Sequence, residues 1–189
     1  MNRIFVFLWV FIVVSDAMGA TKNTFVLSSE EETYLKQKKV ITMCVDPDWE
    51  PFEIINEEGK HEGIAADLIS LMAKRSGLNI KLLQTKTWDE TLEKSKSGKC
   101  DILSFVNQTP ERDKWLIFTQ PLLSDPNILI TREEHPFVAD LNGLNHESVA
   151  LPSGTAMLER FSKDFPNLKM IPVVSEADAM EMVSEKKAD

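Results

Sequence analysis

The chain has 189 residues, of which 43% are hydrophobic and 27% charged, and a formal charge of −9. An acidic balance of this size argues against nucleic acid and anionic membrane surfaces as partners, although it leaves an anionic ligand open because the field of a pocket is local. The apolar content suffices for the core of one domain or of two small lobes.

Residues 1–19 read as a secretory signal, with a basic start at Arg3, an apolar run from Ile4 to Val14, and the small residues Ala17, Gly19 and Ala20 at the expected cleavage region. The apolar run is too short for a membrane anchor, since a hydrocarbon core needs about 20 such residues. No cysteine lies near the cleavage region, so a lipid-anchored start is not expected. The expected location is therefore periplasmic, by export through this signal.

An acidic, lysine-rich stretch from Glu30 to Lys39 follows and reads as a leader helix. Val40 to Val45 is a near-continuous apolar run with β-branched residues, hence a buried strand, and Asp46, Pro47 and Asp48 stop it. After Gly63 the pattern is helical, with Ile64, Leu68, Leu71 and Met72 on one face and Gly77 as a left-handed stop. Ile80 to Leu83 is a second strand. Thr87, with Glu90 three residues on, opens a helix that ends at Gly98. Ile102, Leu103, Phe105 and Val106 form a third buried strand. This βαβ alternation implies a parallel, right-handed, doubly wound α/β sheet in the order 2-1-3.

Asn127 to Arg132 reads as a further strand, and Asp140 to Gly143 as a boundary region. Beyond it come a short strand (Val149 to Leu151), a helix (Ala156 to Asp164) closed by Pro166, and a strand (Lys169 to Val174). Ser175 caps a last helix with Ala179, Met182 and Val183 inward. Two strands and two helices leave apolar faces uncovered, so the sequence is expected to be a fragment, organised as a signal over 1–19, a first lobe over 20–132 and a partial second lobe over 133–189.

Cys44 lies late in the first strand and Cys100 at the start of the third, too far apart to bridge if both run straight, so two free, buried thiols are expected. His61, His135 and His146 show no ligand spacing with them, and neither a metal nor a cofactor is implied.

In open α/β sheets ligands bind beyond the carboxyl ends of the strands. Three such ends deliver Trp49, Trp88 and Arg112 to one crevice. Arg112 carries a planar fork that pairs bidentately with a carboxylate, or else an ordinary surface ion pair with Glu111 or Asp113. Asn107 can donate and accept, or simply form a turn. Trp49 and Trp88 offer aromatic faces to a ligand or pack against a helix. Thr155, in Ser153-Gly154-Thr155, either helps bind an anion at a helix amino end or only caps the helix.

Taken in order and spacing, DPDWEPFE (Asp46 to Glu53), GIAADL (Gly63 to Leu68), SGKCDIL before the crevice, TPER (Thr109 to Arg112), FTQP (Phe118 to Pro121) and SGT (Ser153 to Thr155) resemble the bacterial extracellular solute-binding proteins of family 3. The resemblance implies a two-lobed type II periplasmic-binding-protein fold, truncated in its second lobe, that closes on a small ligand. It implies that Arg112 holds a ligand carboxylate with help from Asn107 and Thr155, that Trp49 and Trp88 flank the ligand, and that Asp46 meets basic ligand groups. Phe105 stands where some relatives carry serine, which makes the pocket more apolar, and Asn107 replaces the usual Ser or Thr.

The leader and the DPDWEPFE stretch are similar to the sensor version of this domain on membrane-bound histidine kinases and diguanylate cyclases. The resemblance thus implies sensing of an amino acid or related carboxylate by a chain linked to a transmembrane kinase or cyclase module. The alternative is the binding subunit of an amino-acid ABC transporter, partnered by a permease. A few proteins of this fold are enzymes, such as dehydratases and lytic transglycosylases; these need a positioned acid, for which Asp46, Asp48 and Glu50 are available but none is singled out. No catalytic residue is assigned.

Overall fold

The computed structural model describes residues 26–189, so the signal assigned to 1–19 lies outside the described residues. Helix α1 (Ser29–Lys38) starts at a complete capping box between Ser28 and Glu31. Its acidic first turn and basic last turn complement the helix dipole. It buries no residue of its own and is held to the body of the protein by Lys38, whose Nζ lies 2.7 Å from Asp101 Oδ1.

Strand β1 (Ile41–Cys44) is the centre of the first sheet. It leads into a small antiparallel sheet of β2 (Asp48–Trp49), β3 (Glu53–Ile55) and β4 (His61–Glu62). Helix α2 (Ile64–Ser76), strand β5 (Ile80–Leu82), helix α3 (Trp88–Lys96) and strand β6 (Ile102–Leu103) complete the first unit. The first sheet is parallel in the order β5-β1-β6, with Ile41 opposite Ile80 and Cys44 opposite Leu103. This is the 2-1-3 order that the βαβ pattern predicts. Ile41, Met43, Cys44, Val45 and Ala65 form the buried core beneath it.

The helix ends follow their predicted chemistry, with one refinement. Gly77 is left-handed at the end of α2, and Thr87 accepts from the Glu90 amide at the start of α3. The Glu90 carboxylate returns to Lys86 N at 2.7 Å rather than to Thr87, so the reciprocal half of the capping box is shifted by one residue. On α2, Ala65 is the buried residue, while Ile64, Leu71 and Met72 are exposed.

The cysteines are bridged, which overturns the expectation of free thiols: Cys44 and Cys100 have Cα atoms 5.7 Å apart. That expectation treats Cys100 as a straight extension of β6. The chain instead turns there, through left-handed Gly98 and a bend that wraps Thr42. Asp101 N donates to Thr42 O at 2.8 Å, Asp101 Oδ2 accepts from Thr42 N at 2.8 Å and from its Oγ1 at 2.6 Å, and Thr42 Oγ1 lies 3.0 Å from Lys99 O. These bonds fold Cys100 back over β1.

The strand expected from Asn127 to Arg132 does not form. Residues 121–130 are exposed throughout, including Ile128 at 79%, because no described strand lies alongside to complete a ladder. The third strand is also shorter than predicted, with Phe105 and Val106 half-buried beyond the end of β6.

The second unit pairs β7 (Ser148–Pro152) in parallel with β8 (Lys169–Val173), flanked by α4 (Ala156–Asp164) and α5 (Glu176–Ser184). Thr155 caps α4, and Ser175 caps α5 in a full capping box with Asp178. Ala179, Met182 and Val183 lie half-buried. Arg132 belongs physically to this unit: its Nη1 donates to Val183 O at 3.1 Å and to Ala188 O, and its Nη2 lies 3.5 Å from Asp189 Oδ1.

Candidate functional site

The site lies where β6, the amino end of α3 and the Ser153-Gly154-Thr155 turn meet. Thr109 accepts from the Arg112 amide at 3.2 Å and starts the 3-10 turn Arg112–Lys114, which swings the Arg112 side chain inward. Arg112 is only 3% exposed. Its Nη1 donates to Asn107 O at 2.8 Å and its Nη2 to Gly154 O at 2.7 Å. The guanidinium carbon sits 5.7 Å from the centre of the Trp88 ring, a cation–π separation. Glu159 Oε1 stands 3.4 Å from Nε, close enough for an ion pair but without hydrogen-bond alignment, so Nε has no hydrogen-bond partner. Burial lowers the pKa of Arg112 and the Glu159 charge opposes that effect; a guanidinium in this setting stays protonated.

Trp88, the first residue of α3, donates from its indole Nε1 to Gly154 O at 2.9 Å. The Gly154 carbonyl therefore accepts from both Trp88 and Arg112. Gly154 is left-handed (φ 69), and a Cβ there would fall 2.5 Å from Asp89 Oδ1, 3.1 Å from Leu92 and 3.2 Å from Trp88. Only glycine lets the turn press this closely against α3.

Thr155 Oγ1 donates to Pro152 O at 2.8 Å and accepts from Leu158 N at 3.3 Å, so its hydroxyl serves the helix cap. Asn107 is exposed and reaches Arg112 through its backbone carbonyl. Phe105 is half-buried just before it. Trp49 stacks on Phe52 with ring centres 4.6 Å apart. Trp88, Asn107 and Arg112 are thus brought together, Thr155 lies beside them through its neighbour Gly154, and Trp49 rests on the small antiparallel sheet.

Asp46, at the end of β1, has its carboxyl pushed up to about 6, first by burial and then by the charges of Glu53, Asp48 and Glu176, against the opposing hydrogen bond from Asp48 N. Its own amide donates at 2.9 Å to Oε1 of Glu53, a fully buried carboxylate. Glu53 Oε2 accepts from Ser104 Oγ and lies 3.2 Å from His61 Nε2. The sequence marks Gly154 only as part of an anion-binding turn and marks neither Glu53 nor Glu159 as a site residue. An acid between Phe52 and Ile54 in a strand run is a visible signal for Glu53. Among the described residues no group of His, Cys, Asp and Glu is arranged to hold a metal ion, and no helix is long and apolar enough to cross a membrane.

Two α/β units, the first with its parallel sheet in the order 2-1-3, have the type II periplasmic-binding-protein fold, which solved periplasmic and amino-acid-binding domains share. The chain belongs to the bacterial extracellular solute-binding proteins, family 3, whose sequence profile matches residues 41–186. It is similar to the virulence sensor protein BvgS of Bordetella pertussis, with 24% identity over 162 residues that make up 86% of this chain and 13% of that protein. It is also similar to a probable histidine-binding protein of Campylobacter jejuni, with 27% identity over 151 residues, 79% of this chain and 56% of that protein. The crystal structure of the BvgS periplasmic VFT2 domain of Bordetella pertussis superposes with a TM-score of 0.74 at 24% identity, covering 87% of this chain and 70% of that one. The chain thus spans a minor part of the sensor it matches and little more than half of the binding protein.

Proposed function

We propose that this chain binds a small polar solute, an amino acid or related carboxylate, in the crevice between its two units, on the periplasmic side of the membrane. The single observation that carries the reading is Arg112: a permanently charged fork, almost wholly buried, at the carboxyl edge of a parallel sheet and against an aromatic face. A buried cation of this kind costs free energy unless an anion or strong acceptors meet it, and Nε of Arg112 has no hydrogen-bond partner of its own. Arg112 is assigned to the ligand carboxylate, Trp88 and Trp49 to its flanks, Asn107 and Thr155 to polar contacts beside Arg112, Phe105 to an apolar wall, and Asp46 to a basic ligand group.

The solute-bound state touches both units and is favoured over the open one by those added contacts. The similarity to a virulence sensor supports a sensing role, in which closure is passed to a transmembrane kinase or cyclase module on the same protein. The similarity to a probable histidine-binding protein supports the alternative, a binding subunit that serves an ABC permease. The continuation of the encoding reading frame separates the two.

The test is isothermal calorimetry of the chain against a panel of the twenty L-amino acids. A charge-assisted hydrogen bond is worth about 1.5–3 kcal/mol, so Arg112→Ala is expected to weaken the best binder roughly tenfold to a hundredfold. Unchanged affinity would sink the assignment. Asp46, with its raised carboxyl, is the group that an enzymatic reading would use as an acid. Product formation from a bound solute, lost in Asp46→Asn, is the result that would favour that reading over pure binding.

A further inference from the structure

Each nitrogen of the Arg112 guanidinium faces an oxygen of the protein. Asn107 O takes Nη1, Gly154 O takes Nη2, and the Glu159 carboxylate faces Nε. Two of these three partners come from the second unit, and the same Gly154 carbonyl also holds the Trp88 indole. A carbonyl and a carboxylate from the opposite unit thus stand around a guanidinium in the way that the oxygens of a bound carboxylate would.

We infer that Glu159 and the Gly154 carbonyl act as a built-in surrogate for the ligand, so that solute entry is an exchange in which a ligand carboxylate displaces them from Arg112 and the released Glu159 turns to a cationic group of the same ligand. The inference rests on the proposed binding role of Arg112 and deepens it by assigning Glu159 as the group that favours a zwitterion over a simple carboxylate at that site.

The electrostatics favour that class. Beside the Arg112 guanidinium stands one carboxylate partner, Glu159 on α4, and a second carboxylate, Asp89, flanks Gly154. A ligand that brought only negative charge would take Arg112 from Glu159 and leave that carboxylate without a counter-charge. A zwitterion returns a positive charge to the same place. The ion pair between Arg112 and Glu159 lacks hydrogen-bond alignment, so a ligand oxygen that aligns with Nε gains what Glu159 does not supply.

The surrogate contacts also draw the two units together without solute. Gly154 admits the approach through its left-handed backbone and the absence of a Cβ. In the ligand-free protein the Trp88 indole N–H is therefore expected to exchange slowly with solvent deuterium, and Gly154→Ala is expected to hasten that exchange severalfold.

The decisive experiment compares Glu159→Gln with the unmodified chain by calorimetry, using two probes. One is the L-amino acid of the twenty-member panel that binds most tightly; the other is the carboxylic acid that differs from it only in lacking the amine. Removing a close competitor charge is expected to raise affinity for the desamino acid about fivefold to tenfold, while affinity for the amino acid stays level or falls because its ammonium loses a partner. If Glu159→Gln changes neither affinity although Arg112→Ala still weakens binding, the exchange inference fails and the binding function stands. If Arg112→Ala leaves binding intact, or no amino acid binds, the proposed function fails and the inference with it. Trp88 exchange that is fast in the unmodified chain likewise overturns the surrogate contact.

Discussion

The backbone amide of Asp46 is held at 2.9 Å by Oε1 of Glu53, a carboxylate with no exposure to solvent. The chain two residues beyond the central strand is therefore fixed from the small antiparallel sheet next to it. Through Ser104, the same carboxylate also reaches the chain leaving β6. Glu53 thus sets the spacing between the two strand ends that open onto the crevice.

Glu53→Gln keeps one oxygen for the Asp46 amide but turns the other acceptor into an amide donor facing the Ser104 hydroxyl and the His61 ring. A loss of about 1–3 kcal/mol is expected from the mismatched buried donors. Urea denaturation checks this, and a change within about 0.5 kcal/mol, the range of an ordinary surface substitution, would contradict it.

Asp46 makes stability depend on pH. Its folded-state value of about 6 lies above the ordinary 3.8, so within that window the folded protein keeps a proton that the unfolded chain has released. Stability therefore falls as pH rises through the window and is level above it. Asp46→Asn removes the charge and keeps the oxygen that accepts from Asp48 N. The variant is expected to match the unmodified chain near pH 4 and to exceed it at pH 7 by on the order of 2–3 kcal/mol. Denaturation midpoints that differ equally at both pH values would rule this out.

The bridge between Cys44 and Cys100 closes a long loop, with a sequence separation of 56. Replacing both cysteines by alanine is expected to cost roughly 2–4 kcal/mol, mainly by freeing the unfolded chain. The same loss should appear when the unmodified protein is denatured in the presence of a thiol reductant, and the double variant should show no response to the reductant.

Two glycines with positive φ separate backbone freedom from space. At Gly63 (φ 102) a Cβ would lie 2.6 Å from the Phe52 carbonyl oxygen, a backbone atom that cannot swing aside; at Gly77 (φ 71) nothing lies within 4 Å. Gly77→Ala should cost about 1 kcal/mol, the penalty of a left-handed alanine. Gly63→Ala should cost clearly more, about 2 kcal/mol or above, because the start of α2 must shift. Equal melting temperatures for the two variants would refute the steric argument.

The first sheet and both units' helices were legible in the sequence because periodicity and caps are local signals. Thr87, Thr155 and Ser175 each mark a helix start by their own side chains. The small antiparallel sheet was not legible: β2 and β4 are two-residue ladders whose residues, Asp48-Trp49 and His61-Glu62, carry no alternation. Arg112 could be placed at a strand end from sequence, but its partners Gly154 and Glu159 are 42 and 47 positions away, and no spacing rule joins them. The cysteine pairing was misread because a bend built on Thr42 and Asp101, rather than strand geometry, sets the distance. Within the exposed stretch at 121–130, the part expected as a strand, Asn127 to Ile130, shows the converse, an apolar β-prone run without a described neighbour to pair with.

That exposed stretch determines where the molecule is stiff. Ten residues without a described ladder or a buried side chain form the covalent joint between the halves, and such a joint resists bending weakly. The torque needed to part the halves is then set at the Gly154 carbonyl and its two donors, so a two-unit fold of this build has its yield point at that contact and its compliance in the connector.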